Sequence, residues 1–247
     1  IICHCSTSPV AVTVLNTGIK VCRTASTFPA FINLCSTSPF IVTILNAVIS
    51  RISITVPALV SFSRTTPVIV TILNMRAPGM TLMRMPVFTW MALVVSFLLT
   101  FAIPILTVGL VELLFWRFFD MPFFSAEFGG DPLLWQHIFW LFGHPEVYII
   151  FLPAAGIIST LIPVFAGRPI VGYGWVVAAI TIMGFISFGL WVHHMFTIGI
   201  PQLAQAFFSA ASMLVAVPTA IQVFVWIATL WLGKPKMKLP MLWGMGF

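Results

Sequence analysis

Charged residues are scarce in this chain of 247 residues. Only 6% of the residues are charged, eleven Lys or Arg and five Asp or Glu, whereas 60% are hydrophobic. Because a soluble domain has roughly 25% charged residues, the composition excludes that class and indicates a polytopic membrane protein with the lipid bilayer as its surroundings. The basic residues are scattered rather than grouped into a patch, which argues against nucleic acid as a partner.

Cysteine is confined to the first 35 residues, at Cys3, Cys5, Cys22 and Cys35. No disulfide framework follows from these positions. The triplet around His4 lacks both the usual ligand spacing of a zinc site and a second ligand pair. The N-terminal residues also lack the basic and continuously apolar regions of a secretory signal, so the sequence gives no indication of cleavage or export.

Residues 1–66 lack an apolar run of the ~20 residues that a membrane-spanning helix needs. They contain a repeat instead: PVAVTVLN at 9–16 and PFIVTILN at 39–46, with a third copy, PVIVTILN, at 67–74. So few copies of a β-prone segment cannot stack into a solenoid. We predict that residues 1–66 are a poorly ordered repeat segment with no functional role of its own, and that residues 67–247 are a transmembrane domain.

Four long apolar segments dominate the remainder, at residues 87–114, 134–165, 171–199 and 203–232, and a fifth begins at 239–247. Each complete segment exceeds the ~20 residues of a spanning helix. We therefore predict an all-α fold, a polytopic bundle of four antiparallel transmembrane helices followed by the start of a fifth.

The connections between these segments alternate in charge. On one side of the membrane the connections carry Arg117 as their only basic residue, together with three acidic residues. Because cytoplasmic loops accumulate Lys and Arg, the first segment is predicted to run from the inside to the outside. The inner connections carry six basic residues: Arg76, Arg84, Arg168, Lys234, Lys236 and Lys238.

Three histidines, His144, His193 and His194, lie within two of the apolar segments at similar predicted depth, in the outer half of the membrane. Imidazole ligation suits copper, zinc or iron. The alternative is that each histidine is bonded to a neighbouring carbonyl in the core, but three at matched depth favour a metal site. Adjacent histidines diverge by about 100° on a regular helix, so both can reach one ion only if the helix is distorted, which Gly189 would permit, or if one imidazole approaches from the side.

The residues after His144 add further polar chemistry. Tyr148 is four residues on, so it lies on the same helical face, where a phenol beside a metal can give up a proton and an electron. Pro145 leaves a backbone carbonyl without its helical hydrogen bond, for water or a side chain to satisfy. Glu146, a carboxyl group in hydrocarbon, is a candidate proton relay rather than a fixed charge.

Four motifs together resemble one family. The run from Trp135 to Tyr148 reads WQHIFWLFGHPEVY, and the run from Trp191 reads WVHHMFT. The segments NMRAPGM at 74–80 and AVPT at 216–219 also match. These residues resemble subunit I of the haem-copper oxidases, such as cytochrome c oxidase subunit I, and the four segments resemble spans five to eight of its twelve.

The resemblance implies roles for individual residues. His144, His193 and His194 would be the ligands of the copper ion CuB, which faces a high-spin haem where dioxygen is reduced to water with coupled proton translocation. Tyr148 would be the tyrosine that the family cross-links to its first copper histidine, and Glu146 the end of the main proton channel. Trp140 would pack near the copper centre.

One position departs from the family pattern. At Gln222 the commonest form of the family has the lysine of a second proton channel. Glutamine can support a chain of water molecules but cannot hold a proton at neutral pH. Ser159 and Thr219, which resemble other members of that channel, are present. The resemblance implies a proton pathway on this side through these three residues.

The family's haem ligands and further spans lie before and after the matching stretch. The resemblance therefore implies a fragment or truncated product that supplies the copper side of an oxidase, ligates no haem and is inactive alone. Its partners would be subunits of type II and III, and its electron donor cytochrome c or a quinol. Its location would be the bacterial plasma membrane or the mitochondrial inner membrane.

Three other interpretations stay open at the level of sequence. Nitric-oxide reductases belong to the same superfamily but lack the His-Pro-Glu-Val-Tyr arrangement, so Tyr148 argues against them. A membrane metal transporter would need Met or Cys ligands along a pore, and Met195 and Met213 are too few. The third is an inactive remnant of an oxidase gene, which would retain the motifs without the missing spans.

Overall fold

A computed structural model describes the strand residues Ala11–Leu15 and Gly18–Cys22 and the continuous stretch 65–247. The chain divides into two compact units, Ile1–Ala47 and Val48–Phe247, and each is described by itself. The predicted domain boundary between residues 66 and 67 rests on sequence character and stays a prediction.

The N-terminal unit contains an antiparallel hairpin. Strand β1 (Ala11–Leu15) pairs with strand β2 (Gly18–Cys22), and Ala11 lies opposite Cys22. β1 is the middle of the first sequence repeat. The second repeat, at 39–46, and three of the four cysteines lie outside the described residues. The predicted lack of a role for residues 1–66 therefore stays a prediction.

The second unit is a helix bundle. Four of its segments are long and apolar enough to cross a bilayer: Val87–Phe119, Pro132–Ala166, Tyr173–Ile198 and Gln202–Trp231. Its described helices are α1 (Thr65–Asn74), α2 (Val87–Phe119), α3 (Pro132–Ala166), α4 (Tyr173–Ser187), α5 (Gln202–Leu214), α6 (Ala216–Trp231) and α7 (Leu239–Gly246). The predicted all-α polytopic fold is confirmed for this unit, and α7 is the predicted start of a fifth segment.

Helices α2 and α3 pack side by side in antiparallel order. A Cβ atom on Gly109 would meet Ile138 at 2.9 Å, and one on Gly156 would meet the Met91 sulfur at 2.9 Å. The absence of these side chains allows the two backbones to approach closely. The core beside this pair is apolar and consists of Met91, Leu98, Leu152, Val176, Ile180 and Met183.

Helix α3, which carries His144, has well-defined ends. The Asp131 carboxylate accepts a hydrogen bond from the Leu133 N–H at 2.8 Å, and Pro132 occupies the first turn, where its missing N–H costs nothing. Gly167, with φ of 67°, ends the helix in the left-handed conformation that glycine adopts without strain. Its three internal prolines, Pro145 among them, leave the helix continuous.

The predicted inner connections meet at one end of the bundle. Arg168 donates a hydrogen bond to the Leu232 carbonyl at 2.8 Å, and the Lys234 N–H donates to the last residue of α3 at 2.9 Å. The Tyr173 hydroxyl donates to the Met85 carbonyl at 2.5 Å. The ends of α3 and α6 therefore lie with the beginnings of α2 and α4, which is the up-and-down order predicted from the loop charges.

The third span changes its helix type before the paired histidines. Helix α4 ends at Ser187, and the chain continues in 3₁₀ turns over Trp191–Ile198, with Met195 at φ −122° and ψ 15°. A 3₁₀ turn has about three residues instead of 3.6, so successive side chains take different directions from those of an α-helix. The helix is therefore distorted at His193 and His194, which is one of the two arrangements expected from the sequence.

The fourth span has a local interruption at Val215, although its apolar pattern is continuous. Helix α5 ends at Leu214 and α6 begins at Ala216, and Val215 between them keeps the helical dihedrals φ −65° and ψ −22°. Pro218 follows within the next turn, and because it has no N–H the Leu214 carbonyl loses its helical partner. The segment predicted at residues 203–232 is therefore confirmed as one span, Gln202–Trp231, with a lost hydrogen bond rather than a change of backbone conformation at its middle.

Candidate metal centre

The three predicted histidines converge within the second unit. His144 lies in the middle of α3 and is 5% exposed. His193 and His194 reach it from the 3₁₀ turns that follow α4, where both imidazoles face the same side of the chain. Both ring nitrogens therefore reach His144 from one short segment of the chain.

The ring nitrogens lie at separations that suit a shared cation. His144 Nδ1 is 3.0 Å from His193 Nε2 and 3.3 Å from His194 Nε2. Two nitrogens that bind one ion at about 2.0 Å are at most about 4 Å apart, so both separations satisfy this limit. Donor atoms of all three residues lie within 4.8 Å of one another. The set fits copper, zinc or iron, which accept imidazole ligands.

A shared proton would satisfy this arrangement less well than a metal ion. The three nitrogens face one another, and a proton on His144 Nδ1 can be donated to only one of the other two. His144 Nε2, on the same ring, is buried without a hydrogen-bond partner among the described residues. A cation bound by the three facing nitrogens would use all of their lone pairs.

Ser212 on α5 sets the tautomer of His193. Its hydroxyl donates to the Phe208 carbonyl at 2.6 Å, so its oxygen can only accept from His193 Nδ1, which lies 2.8 Å away. The proton of His193 therefore sits on Nδ1, and the Nε2 lone pair faces the other two histidines. A partner that fixes the tautomer of a ligand histidine is a common feature of metal sites.

Trp140 holds the third histidine in place. Its indole stacks on the His194 imidazole with ring centroids 4.3 Å apart and planes 7° from parallel. Trp140 also precedes His144 by one helical turn on α3, so the same helix supplies one donor and the support of another. Its predicted position near the metal centre agrees with this contact.

Two predicted catalytic residues lie beside His144 with different surroundings. The Tyr148 ring centroid is 4.8 Å from that of His144, at an interplanar angle of 62°. Glu146 is partly buried and makes no hydrogen bond or ion pair with the residues that the structure describes. Pro145, between His144 and Glu146, is buried, and its missing N–H leaves the Leu141 carbonyl without a helical partner.

The predicted proton-pathway residues are brought to the face between α3 and α6 without bonding to one another. Ser159 donates to the Ala155 carbonyl at 2.7 Å and accepts from Trp226 at 2.9 Å. Thr219 donates to the carbonyl of its own preceding turn at 3.1 Å. Gln222 is fully buried, and neither of its amide atoms has a hydrogen-bond partner in the described stretch.

Ser212 was not predicted from the sequence. The available signal was a hydroxyl residue within an apolar span, but Ser209 on the same helix gives the same signal and is exposed. The sequence does not show which of the two serines faces His193. The described histidine outside the cluster, His137, is exposed and accepts a hydrogen bond from Trp191 at 3.2 Å.

Comparison with known proteins decides the family. The family model described as Cytochrome C and Quinol oxidase polypeptide I matches residues 8–247. The chain belongs to this family. It is 51% identical over 173 residues to cytochrome c oxidase subunit 1 of Bacillus subtilis (strain 168), covering 70% of this chain and 28% of that protein.

Two further relatives of the family differ in their names. Cytochrome c oxidase subunit 1 of Cereibacter sphaeroides is 49% identical over 173 residues, which is 70% of this chain and 31% of that protein. Quinol oxidase subunit 1 of Bacillus subtilis (strain 168) is 46% identical over 173 residues, which is 70% of this chain and 27% of that protein. The chain thus spans less than a third of the length of these relatives.

Replacing Ser212 by alanine is expected to weaken copper binding by about 10–100-fold, the usual cost of losing a partner that orients a ligand histidine. Without the serine oxygen, His193 is free to carry its proton on Nε2 instead of Nδ1. The Nε2 lone pair is then no longer available to bind the metal ion. Competition with a copper chelator, on the assembled complex that contains this chain, measures the effect. Ser212→Thr keeps the hydroxyl and should restore affinity, whereas Ser209→Ala is the control. Equal affinities in all four proteins would refute the tautomer argument.

Proposed function

We propose that this chain forms the copper-binding side of the dioxygen-reducing centre in the catalytic subunit of a terminal respiratory oxidase. The observation that carries the proposal is the approach of His144 Nδ1 to His193 Nε2 and His194 Nε2, at 3.0 and 3.3 Å, between membrane-spanning segments. Membership of the oxidase family supports copper as the metal.

His144, His193 and His194 would hold the copper ion, with Ser212 and Trp140 keeping two of the rings in place. When bound, copper and a facing high-spin haem supply the electrons and the binding site for the reduction of dioxygen to water. Among the described residues the one histidine outside the cluster, His137, is exposed and bonded to Trp191, so the described histidines offer no further imidazole for that haem. The haem ligands would come from outside this chain.

Tyr148 would supply a proton and an electron at this centre. Support comes from its contact with His144 and from its depth in α3, which keeps its hydroxyl away from bulk water. We further propose that a ring carbon of Tyr148 bonds to the partnerless His144 Nε2. That bond forms with loss of one C–H and one N–H hydrogen, and dioxygen takes up the two electrons and two protons.

Glu146 would deliver protons towards the same place. Its carboxyl group has no partner among the described residues, and the unbonded Leu141 carbonyl lies one turn before Pro145. Water held by these two groups would let Glu146 receive a proton from one side and release it on the other. An ionisable residue inside a membrane segment is costly unless it serves a role of this kind.

A second proton pathway would run along α6 through Ser159, Thr219 and Gln222. Gln222 is the critical position, because a fully buried amide without partners is normally explained by bound water. Ser159 and Thr219 each donate their proton to a backbone carbonyl, so water would have to connect the three side chains.

The substitution Gln222→Met tests this pathway. Because the buried amide has no protein partner, its removal should leave thermal stability unchanged or raise it, since an unsatisfied polar group costs roughly 1–3 kcal/mol. Dioxygen consumption by the assembled oxidase should fall several-fold, because methionine cannot hold the water. Gln202→Met, at an exposed glutamine of the same span, is the control. Unchanged turnover in Gln222→Met would show that protons do not pass this position.

The complete oxidase would contain subunits of type II and III and take electrons from cytochrome c or a quinol. The names of the relatives include both kinds of donor. Its place would be a respiratory membrane, either the bacterial plasma membrane or the mitochondrial inner membrane. The deciding assay purifies the complex that contains this chain and follows dioxygen consumption with each reduced donor, with proton release measured in vesicles.

Copper analysis of the same preparation distinguishes the alternatives. Copper together with donor-dependent dioxygen consumption supports the proposal. Copper without dioxygen consumption would identify an inactive remnant, and copper flux across the vesicle membrane would identify a transporter. Either of these results overturns the proposal.

A further inference from the structure

Aromatic rings form a continuous row that leads away from the histidine cluster. From the outer end inwards, neighbouring ring centroids are 5.9, 5.4, 5.8, 5.1 and 4.3 Å apart. Each step is within the contact range of aromatic pairs. We call this set the aromatic row: Trp116, Phe124, Trp135, Phe139, Trp140 and His194.

The aromatic row runs towards the predicted outer face. Trp140 and Trp135 are eight and three residues beyond the start of α3, or about 12 and 5 Å along the helix axis. Phe124 lies in the connection between α2 and α3, and Trp116 is three residues before the end of α2. The row therefore joins the buried cluster to the end of the bundle opposite the six basic residues.

Indole and phenyl rings alternate along the row. Indole is, with phenol, the side-chain ring that loses an electron most easily, whereas phenyl is oxidised only with difficulty. Phe124 and Phe139 each touch the indoles on both sides, so they fill the gaps between three oxidisable rings. At the inner end, the near-parallel stacking of Trp140 on His194 gives close contact between the row and the metal ligands.

We propose that the aromatic row conducts electrons inwards to the metal centre when an oxidising species forms there and the normal donor is exhausted. The inference rests on the proposed function, which supplies that species. It adds a protective activity to the chain. Electrons from the aromatic row reduce the oxidising species before that species can oxidise the metal ligands. The final reductant is a water-soluble one-electron donor of the ascorbate or thiol class at the outer face.

The steps balance as single electron transfers. Trp140 gives one electron to the oxidising species. It then takes one electron from Trp135, and Trp135 in turn takes one electron from Trp116. The Arg117 guanidinium carbon is 5.7 Å from the Trp116 ring centroid, and this positive charge disfavours a charged indole radical. Trp116 therefore releases its N–H proton to the outer water. The reductant then returns one hydrogen atom to Trp116 and becomes a radical itself.

The alternative is that these rings only pack the outer end of the bundle, as aromatic residues at membrane interfaces do. Packing depends on shape, whereas conduction depends on how easily a ring is oxidised. Position 135 separates the two, because Phe and Tyr have nearly the same shape but only Tyr is readily oxidised. Trp135→Phe should interrupt the row and Trp135→Tyr should retain it.

The experiment treats the purified oxidase complex with hydrogen peroxide in the absence of electron donor and maps oxidised tryptophans by peptide mass spectrometry. In the unmodified complex we expect oxidation products at Trp116. Trp135→Phe should lower them several-fold and raise oxidation at Trp140, and Trp135→Tyr should restore the original pattern. Trp175→Phe, at an exposed tryptophan outside the row, should change nothing. Added ascorbate should suppress the products at Trp116.

Dioxygen consumption of the same preparations keeps this inference separate from the proposed function. We expect all three variants to consume dioxygen normally, because none of the changed residues touches a metal ligand. Normal consumption with equal Trp116 oxidation in Trp135→Phe and Trp135→Tyr would overturn conduction along the row and leave the proposed function intact. Absence of dioxygen consumption in the unmodified complex would instead overturn the proposed function.

Discussion

Replacement of His144 by alanine is expected to remove copper from the assembled oxidase and to lower dioxygen consumption to background. His144 Nδ1 is the nitrogen that both other donors approach, so its loss leaves two imidazoles on one 3₁₀ segment. The loss of affinity should exceed the roughly 10–100-fold cost of removing a supporting residue. Metal analysis and oxygen polarography on the purified complex measure the two effects.

His137→Ala is the matched control, because His137 lies on the same helix and outside the cluster. It should retain copper and nearly normal turnover. Helix content by circular dichroism should be unchanged in both variants, since neither residue contributes to the apolar core. Retention of one copper per complex in His144→Ala would contradict the assignment of the site.

The bundle was predictable because membrane segments are governed by one strong rule. A run of apolar residues longer than about 20 has few structures open to it other than a spanning helix, and the loop charges then fix the order of the helices. Agreement between the predicted ranges and α2 and α3 follows from this rule. The rule says nothing about where a helix bends, which depends on local backbone chemistry.

The third and fourth spans show that limit. Gly189 indicated that the third span was able to distort, but the sequence left open whether the helix is distorted or one imidazole approaches from the side. Pro218 carried a comparable signal in the fourth span, yet proline is tolerated within membrane helices, as Pro145 and Pro153 show in α3. Proline alone therefore does not predict where the backbone of a span departs from the α-helix.

The repeats illustrate how weak local propensity is. The first copy, residues 9–16, contains strand β1, and the closely similar third copy, residues 67–74, lies in helix α1. The β-prone interpretation was wrong for the third copy. β-branched residues lose well under 1 kcal/mol each in a helix, so surrounding structure readily overrides their preference.

The convergence of the three histidines was predictable from their depth, whereas the residues that support them were not. Three histidines within hydrocarbon are costly and few, so their convergence follows from the sequence. Ser212 and the aromatic row consist of residue types that are common in membrane helices. Their significance comes from contacts across α2, α3 and α5, which no local pattern contains.

The second large effect is expected from Tyr148→Phe, which removes one oxygen atom and leaves the ring. Dioxygen consumption should fall by several orders of magnitude, because phenylalanine can supply neither the proton nor the electron assigned to the phenol. Copper should remain bound, since Tyr148 contacts the His144 ring and is not one of the three nitrogen donors. Oxygen polarography and copper analysis on one preparation therefore give opposite results for this variant.

The contrast with His144→Ala is what makes the variant informative. His144→Ala should lose both copper and turnover, whereas Tyr148→Phe should lose turnover alone. Peptide mass spectrometry adds an independent measurement, because the bond proposed between Tyr148 and His144 makes their shared peptide lighter by two hydrogen atoms. Near-normal turnover in Tyr148→Phe would exclude the phenol as a donor. Loss of copper would instead mean that Tyr148 supports the site structurally, by holding the His144 ring in the orientation that its Nδ1 requires.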